Sequence, residues 1–297
     1  MNISTALRSN RSHLAMTGLN IKEFRELLPV FSSVLNKANK ERKGWFGQGR
    51  KGMLATPTDK LFFVLMYLKS YPTVDVLAFL VGFDRSNACR NVQMLLPILQ
   101  KTLGRKLVLP TRQINSVEEF YQKFPWAKDI FIDGTERRVQ KPVSQKRKKR
   151  LYSGKKKATT RKTIVVSDEK KRIMILTPTK SGRRHDKRLF DKQIGKDIIP
   201  QEVTVWVDTG FQGLQHHHPN IQIPKKATKK QPLTEVEKEG NRLISGIRVL
   251  SEHAIAGIKR FRSTTDIYRN RLPNLDDTFN LLAAGLWNYH LDFVRNH

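Results

Sequence analysis

Cysteine occurs once in 297 residues, at Cys89, which excludes an internal disulfide and any cysteine-rich zinc module. Acids are also scarce: 26 Asp and Glu stand against 56 Lys and Arg, a formal charge of +30. No apolar run approaches the roughly 18 residues of a membrane span, and the N-terminal stretch MNISTALRSNRSHLAMTGLN contains no apolar signal core. These absences predict a protein of a reducing cytoplasm with no membrane partner. What is present is basic and globular. The chain is long enough for two domains and, at 38% hydrophobic residues, apolar enough for a sizeable core. So large a positive excess implies a polyanionic partner, and nucleic acid fits better than an anionic membrane surface.

The pattern along the chain changes twice. In residues 1–52, Asn20 caps IKEFRELLPVFSSVLNKAN, where Phe24, Leu27, Leu28, Phe31 and Leu35 recur at helical spacing. A basic, glycine-rich link follows at 43–52. Residues 53–112 read as three helices. Pro57 and Thr58 open the first, Thr73 caps the second, and a turn at Gly82 and Phe83 leads to Asp84 and a third. Helix, short glycine turn, helix is the layout of a helix-turn-helix DNA reader, and equally of a plain helical bundle with a polar face. As a reader, its last helix would present Ser86, Asn87, Arg90, Asn91 and Gln93 to phosphates and base edges.

Residues 113–297 carry short apolar strand runs: DIFIDG, KTIVVSD, RIMILTP and VTVWVD, with a helix candidate HDKRLFDKQI before the fourth and a long helix from about Thr234 to Arg262. This order predicts an α/β mixed sheet flanked by helices and matches a ribonuclease-H-like fold. Residues 137–162 hold 13 Lys or Arg and no acid. The run reads as a β-hairpin with a flexible tip, either a solvated loop or a clamp on a DNA backbone. Lys155, Lys156 and Lys157 would then make the phosphate contacts.

Three acids stand out. Asp133 closes the strand run IFI, and Asp208 closes VWV. Either alone reads as a turn-forming aspartate at a strand end. Glu252 lies on the long helix, with Arg248 four residues before it and Lys259 seven after, all on one helical face. That face reads as a surface salt-bridge stripe or as a third ligand with flanking cations, Arg248 pairing with Glu252 and Lys259 reaching a phosphate. Taken together, two strand-end aspartates and a helical glutamate can hold divalent ions beside a phosphodiester.

The spacing Arg248-x3-Glu252-x6-Lys259 resembles the signature around the last glutamate of DDE transposases in bacterial insertion-sequence family five, akin to the Harbinger group. TGLNIKEFRELLP, PTDKLFFVLMYLKSYPTVDVLAFLVGFDRS, FIDGTERRV, YSGKKK, SGRRHDKRLF and VWVDTGFQG are similar to that group's segments, in the same order, over nearly the whole chain. One position departs: Ser245 stands three residues before Arg248, where the group often has tyrosine. The resemblance implies a transposase that binds terminal inverted repeats on double-stranded DNA. It would cleave a strand and transfer it with Mg2+ (or Mn2+) held by Asp133, Asp208 and Glu252. It also implies at least a homodimer during reaction and association with the nucleoid. A host-adopted nuclease that no longer transposes, and a purely structural basic binder, remain alternatives; the last leaves the three acids without a role.

Other residues suggest less. His216, His217 and His218 lack spaced partners and read as an exposed loop. Asp186 reads as a first-turn acid favouring the helix dipole, with a secondary contact to the site left open. Glu136 should point to the opposite sheet face from its strand neighbours or into the hairpin, and is not counted as a ligand. Cys89 reads as packed, and Trp126, Trp206 and Trp287 as core or interface aromatics.

Overall fold

The computed structural model describes residues 6, 8–42, 53–195, 197–228 and 232–296, so the link expected at 43–52 lies outside the described residues. The chain forms two compact units. One comprises Met1–Leu109, Lys259–Asp266 and Thr278–His297, and the other Pro110–Ile258 and Ile267–Asp277.

The first unit is all helical: α1 (Asn10–Thr17), α2 (Ile21–Arg42), α3 (Pro57–Ser70), α4 (Val74–Val81) and α5 (Arg85–Arg105). Its boundaries follow the caps in the sequence. Asn20 and Glu23 bond each other's backbone N–H at 2.8 and 2.6 Å, and Thr56 and Asp59 do so at 3.1 and 2.9 Å. Thr73 caps α4 and Asp84 caps α5. Between them Gly82 takes φ 77°, a left-handed backbone that a side chain would strain. Phe24, Leu27, Phe31 and Leu35 of α2, Leu61 to Leu65 of α3, Leu77 of α4 and Leu95 and Leu99 of α5 are buried, while Leu28 is half-buried.

This unit is larger than the expected partition into 1–52, 53–112 and 113–297. The two N-terminal stretches form one body, and C-terminal residues join it. The cause is packing. Phe279, from α11 (Leu275–Asn296), sets its ring edge-on to Tyr67 and Tyr71 at 6.0 and 5.6 Å. Farther along, the Asn288 amide donates to the Val108 carbonyl (2.9 Å) and the Tyr289 hydroxyl to that of Glu23 (2.8 Å). The helix α10 (Arg262–Thr265) belongs here too, with Phe261 buried before it.

The second unit holds α6 (Val117–Lys123), β1 (Asp129–Arg138), α7 (Gln145–Leu151), β2 (Tyr152–Ser153), β3 (Ala158–Asp168), β4 (Ile173–Leu176), β5 (Lys180–Ser181), α8 (Asp186–Gln193), β6 (Thr204–Val207), β7 (Ile221–Gln222) and nearly all of α9 (Glu235–Lys259). Every strand run expected from the sequence is a strand. The sheet order is β2-β3-β1-β6-β7, with β4 and β5 also on β3. β3 is antiparallel to β1 and β4, whereas β6 runs parallel to β1, and β7 parallel to β6. An antiparallel run that turns parallel after a helical crossover is the ribonuclease-H-like sheet. One of its faces buries Ile130, Ile132, Ile164, Val166, Val205 and Val207 with Leu189 and Phe190 of α8. On the other, Phe131 stacks on Trp206 at 6.3 Å. The basic tip between β1 and β3 is not merely a loop: Ser144 caps α7, whose Leu151 is buried. Among the described residues no helix is long and apolar enough to cross a membrane.

Candidate active site

β1 and β6 are parallel neighbours whose pairing stops at Ile132 opposite Val207, so Asp133 and Asp208 come next side by side. Asp208 leaves its strand, whereas β1 does not end at Asp133 as expected but continues to Arg138, with Asp133 opposite Val165 of β3. Strand spacing alone puts their backbones roughly 5 Å apart. Alternation sends both side chains to the Phe131–Trp206 face. Each carboxylate uses one oxygen locally: Asp133 Oδ1 accepts from the Gly134 N–H at 2.7 Å, and Asp208 Oδ1 from Gly210 at 2.8 Å. The other oxygen of each faces a cation only at long range. Arg248 Nη2 is 3.9 Å from Asp133 Oδ2, and Lys155 Nζ is 3.9 Å from Asp208 Oδ2. Burial raises the Asp133 carboxyl above its ordinary value. The Gly134 N–H opposes this, Asp208 adds to it, Arg248 opposes it and Asp186 adds to it.

The expected residues are placed as follows. Arg248 is on α9 with its side chain mostly buried, and its ion pair is with Asp133 rather than the expected Glu252. Glu252 is one turn farther along and exposed, and Lys259 ends the helix, also exposed. Among the described residues no three acids, histidines or cysteines stand close enough together to hold an ion. Two of the three expected acids therefore meet, and the three-way convergence is not present. In the first unit, Ser86, Asn87, Arg90 and Gln93 are exposed on α5 and Asn91 is half-buried. They are braced within the helix: Arg90 donates to Asn87 Oδ1 (3.0 Å), Asn91 to the Asn87 carbonyl (2.9 Å) and Gln93 to Cys89 Sγ (3.2 Å). Lys155, Lys156 and Lys157 are exposed.

Asp186 is the residue whose place the sequence left open. It is buried, and its oxygens crowd the two glycines that follow the aspartates. A Cβ on Gly134 would lie 3.0 Å from Asp186 Oδ1, and one on Gly210 would lie 2.9 Å from Oδ2. The only sequence signal was an acid opening the helix before β6. Glu136, on the same face of β1 as Gly134, pairs with Lys162 at 2.9 Å, and Lys162 pairs with Asp186 at 2.7 Å. His218 is not part of an exposed loop: it is buried, with Nε2 2.9 Å from the Pro200 carbonyl, while His216 and His217 are exposed. Trp126 is 47% exposed, whereas Trp206 donates to Asp129 at 2.8 Å.

The oxygen donors suit a small divalent cation. Such an ion needs few protein ligands and keeps waters, and it would neutralise the unbalanced charge of the paired aspartates. A parallel strand pair presenting two carboxylates beside lysines and arginines is the arrangement of a metal-dependent endonuclease. The comparisons agree. The family model described as DDE superfamily endonuclease matches residues 132–288, and that described as helix-turn-helix of DDE superfamily endonuclease matches 53–105. The chain belongs to the DDE superfamily of endonucleases and carries its helix-turn-helix domain. A probable transposase for insertion sequence element IS702 from Microchaete diplosiphon is 29% identical over 282 residues, 95% of each chain. No solved structure matches the chain.

Proposed function

We propose that the protein is a transposase that binds the terminal inverted repeats of an insertion sequence, cleaves a strand at each end and joins it to target DNA. The observation that carries this reading is the placement of Asp133 and Asp208 side by side on two parallel strands, just past their last paired residues, each with an oxygen free of hydrogen bonds. Mg2+ bound there supplies activation of the attacking oxygen and stabilisation of the leaving one. Mn2+ has the same ligand preference and would substitute. Cleavage and joining are both in-line displacements at phosphorus, so one site serves both.

The chain's own residues do the rest. Asp133 and Asp208 hold the ion, and Glu252 joins them when α9 and DNA close on the site. Arg248, beside Asp133, orients that carboxylate and faces the phosphate. Lys155, beside Asp208, meets the DNA backbone together with Lys156, Lys157 and the basic helix α7. Ser86, Asn87, Arg90, Asn91 and Gln93 read the repeat. Joining two ends in one reaction requires at least two copies of the chain. The test is nicking and joining of labelled repeat-end DNA in Mg2+ by wild type, Asp133→Ala and Glu252→Ala. Both variants should bind the DNA and lose both reactions, and undiminished cleavage by Asp133→Ala would refute the assignment.

A further inference from the structure

Asp186 lies behind the sheet, on the face opposite the two aspartates. Gly134 follows Asp133 and so points to that rear face, where Glu136 also points. A Cβ on Gly134 would meet the Asp186 carboxylate, with Oδ1 at 3.0 Å, and one on Gly210 would meet both Asp186 Oδ2 at 2.9 Å and Asp208 Oδ1 at 2.8 Å. The Asp186 carboxylate is itself fixed. Lys162 Nζ contacts it at 2.7 Å, contacts Glu136 at 2.9 Å and donates to the Arg184 carbonyl at 3.1 Å. Thr160 donates to the second Glu136 oxygen at 2.9 Å. Glu136 and Lys162 are cross-strand partners of β1 and β3, so the cluster ties Asp186, at the start of α8, to the two central strands. A lone dipole-favouring acid would need none of this and would sit at the surface.

We infer that Asp186 is a positioning residue: wedged against Gly134 and Gly210 and locked by Lys162, it sets the separation and aim of Asp133 and Asp208. The inference rests on those two aspartates being the ligands proposed above. The wedge bridges β1 and the chain leaving β6 just past Ile132 and Val207, where the pairing between these two strands stops. Without it, each aspartate would follow its own strand, and a pair of ligands needs a spacing held to within about half an ångström. Asp186 occupies the space beside Gly134 and Gly210, so it acts through the backbone there and not on substrate.

The test compares Asp186→Asn with wild type and Asp133→Asn for Mn2+ binding by electron paramagnetic resonance, Kd for repeat-end DNA without metal, and kcat and KM for cleavage. Asp186→Asn should bind DNA as wild type does and keep its KM. It should weaken Mn2+ binding about tenfold and lower kcat by more, with a broadened Mn2+ spectrum reporting mixed ligand geometry. Mn2+ affinity, spectrum and kcat all within twofold of wild type would overturn the wedge. Asp133→Asn separates the two readings, because Mn2+ binding that survives in it refutes the ligand assignment itself. If Asp186→Asn does not fold, Gly134→Ala carries the test. It leaves every charge in place and displaces the wedge by a few tenths of an ångström. It should also broaden the Mn2+ spectrum and lower kcat, and unchanged values would overturn the inference.

Discussion

Asp133 and Glu136 are three residues apart on the same strand, on opposite faces of the sheet, and their surroundings differ in kind. Glu136 meets its cation at contact distance, Lys162 at 2.9 Å, and takes a further hydrogen bond from Thr160. Burial pushes its carboxyl up, but the Lys162 hydrogen bond and charge outweigh this, and it is held below the ordinary value. Burial raises the Asp133 carboxyl as well, and there it prevails, with Asp208 adding to the rise and the nearest cation, Arg248, standing off at 3.9 Å. One acid is complete within the fold and the other is left short of positive charge. A buried carboxylate short of positive charge beside a second one favours an added cation, which agrees with the metal role proposed above for this pair.

The strongest way to break this comparison is to neutralise each side in turn. Asp133→Asn keeps the shape and can still accept from Gly134. It should lower cleavage by about a thousandfold or more, roughly 4 kcal/mol of barrier at 1.36 kcal/mol per decade. It should leave the metal-free protein as stable as before or more so, as read by urea unfolding. Lys162→Met should do the reverse of a mild change. It strands two buried carboxylates and should cost about 3–5 kcal/mol of stability. If Asp133→Asn destabilised the fold as much as Lys162→Met, the division into structural and functional acids would collapse.

How far this division could be read beforehand varies along the chain. The strand runs before Asp133 and Asp208 are short, apolar and rich in β-branched and aromatic residues, a local signal strong enough to find both strands. The Asp-Thr-Gly after Val207 does end β6, but the Asp-Gly after Ile132 does not end β1, which pairing with β3 carries on to Arg138. Helix ends in the DNA-reading unit were legible because Thr73, Gly82 and Asp84 are capping residues with local chemistry. α7 was missed because QKRKKRL has almost no apolar residue to mark a period, and its only buried side chain is Leu151. Asp186 and Lys162 are 24 residues apart, and nothing local marks a partner chosen by the tertiary fold. The same holds for the C-terminal helix, whose Phe279 finds Tyr67 and Tyr71 from the far end of the chain. Glu252 was placed on the right helix by spacing, but a helical face does not say how close the helix comes to Asp133 and Asp208.

The comparison extends to cations. Arg90 is exposed and anchored to Asn87 at 3.0 Å, which aims it without satisfying its remaining donors. Arg90→Ala should weaken repeat binding by about 1–3 kcal/mol and random DNA by much less, by competition gel shift. Equal losses on both would reduce α5 to a backbone contact.

A smaller effect is expected from pH. The raised Asp133 pKa means the folded protein holds that proton more tightly than the unfolded chain does. Its contribution to stability is therefore fully present below the unfolded value of 3.8 and is lost as pH rises through the higher folded value. Without metal, wild type should lose stability relative to Asp133→Asn as pH rises from about 4 through the higher folded value. Metal should erase the difference, since it replaces the proton. A gap that does not change with pH would mean the shift is absent.

The smallest expected effect tests an open charge. Lys156 is exposed in the turn before β3, where Ser153 accepts its backbone N–H at 3.3 Å and no acid contacts its side chain. Such a side chain offers a phosphate one mobile positive charge and no geometry, so it can release a counterion but cannot choose a sequence. Lys156→Ala should flatten the slope of log affinity against log salt by about one, equally on repeat and random DNA, and change the preference between them by nothing measurable. Lys155 stands next to Asp208 and should behave differently, its loss appearing in cleavage as well as in the slope. A change in repeat preference with Lys156→Ala would place this turn among the groups that read sequence and move it from the open side of the comparison to the aimed one.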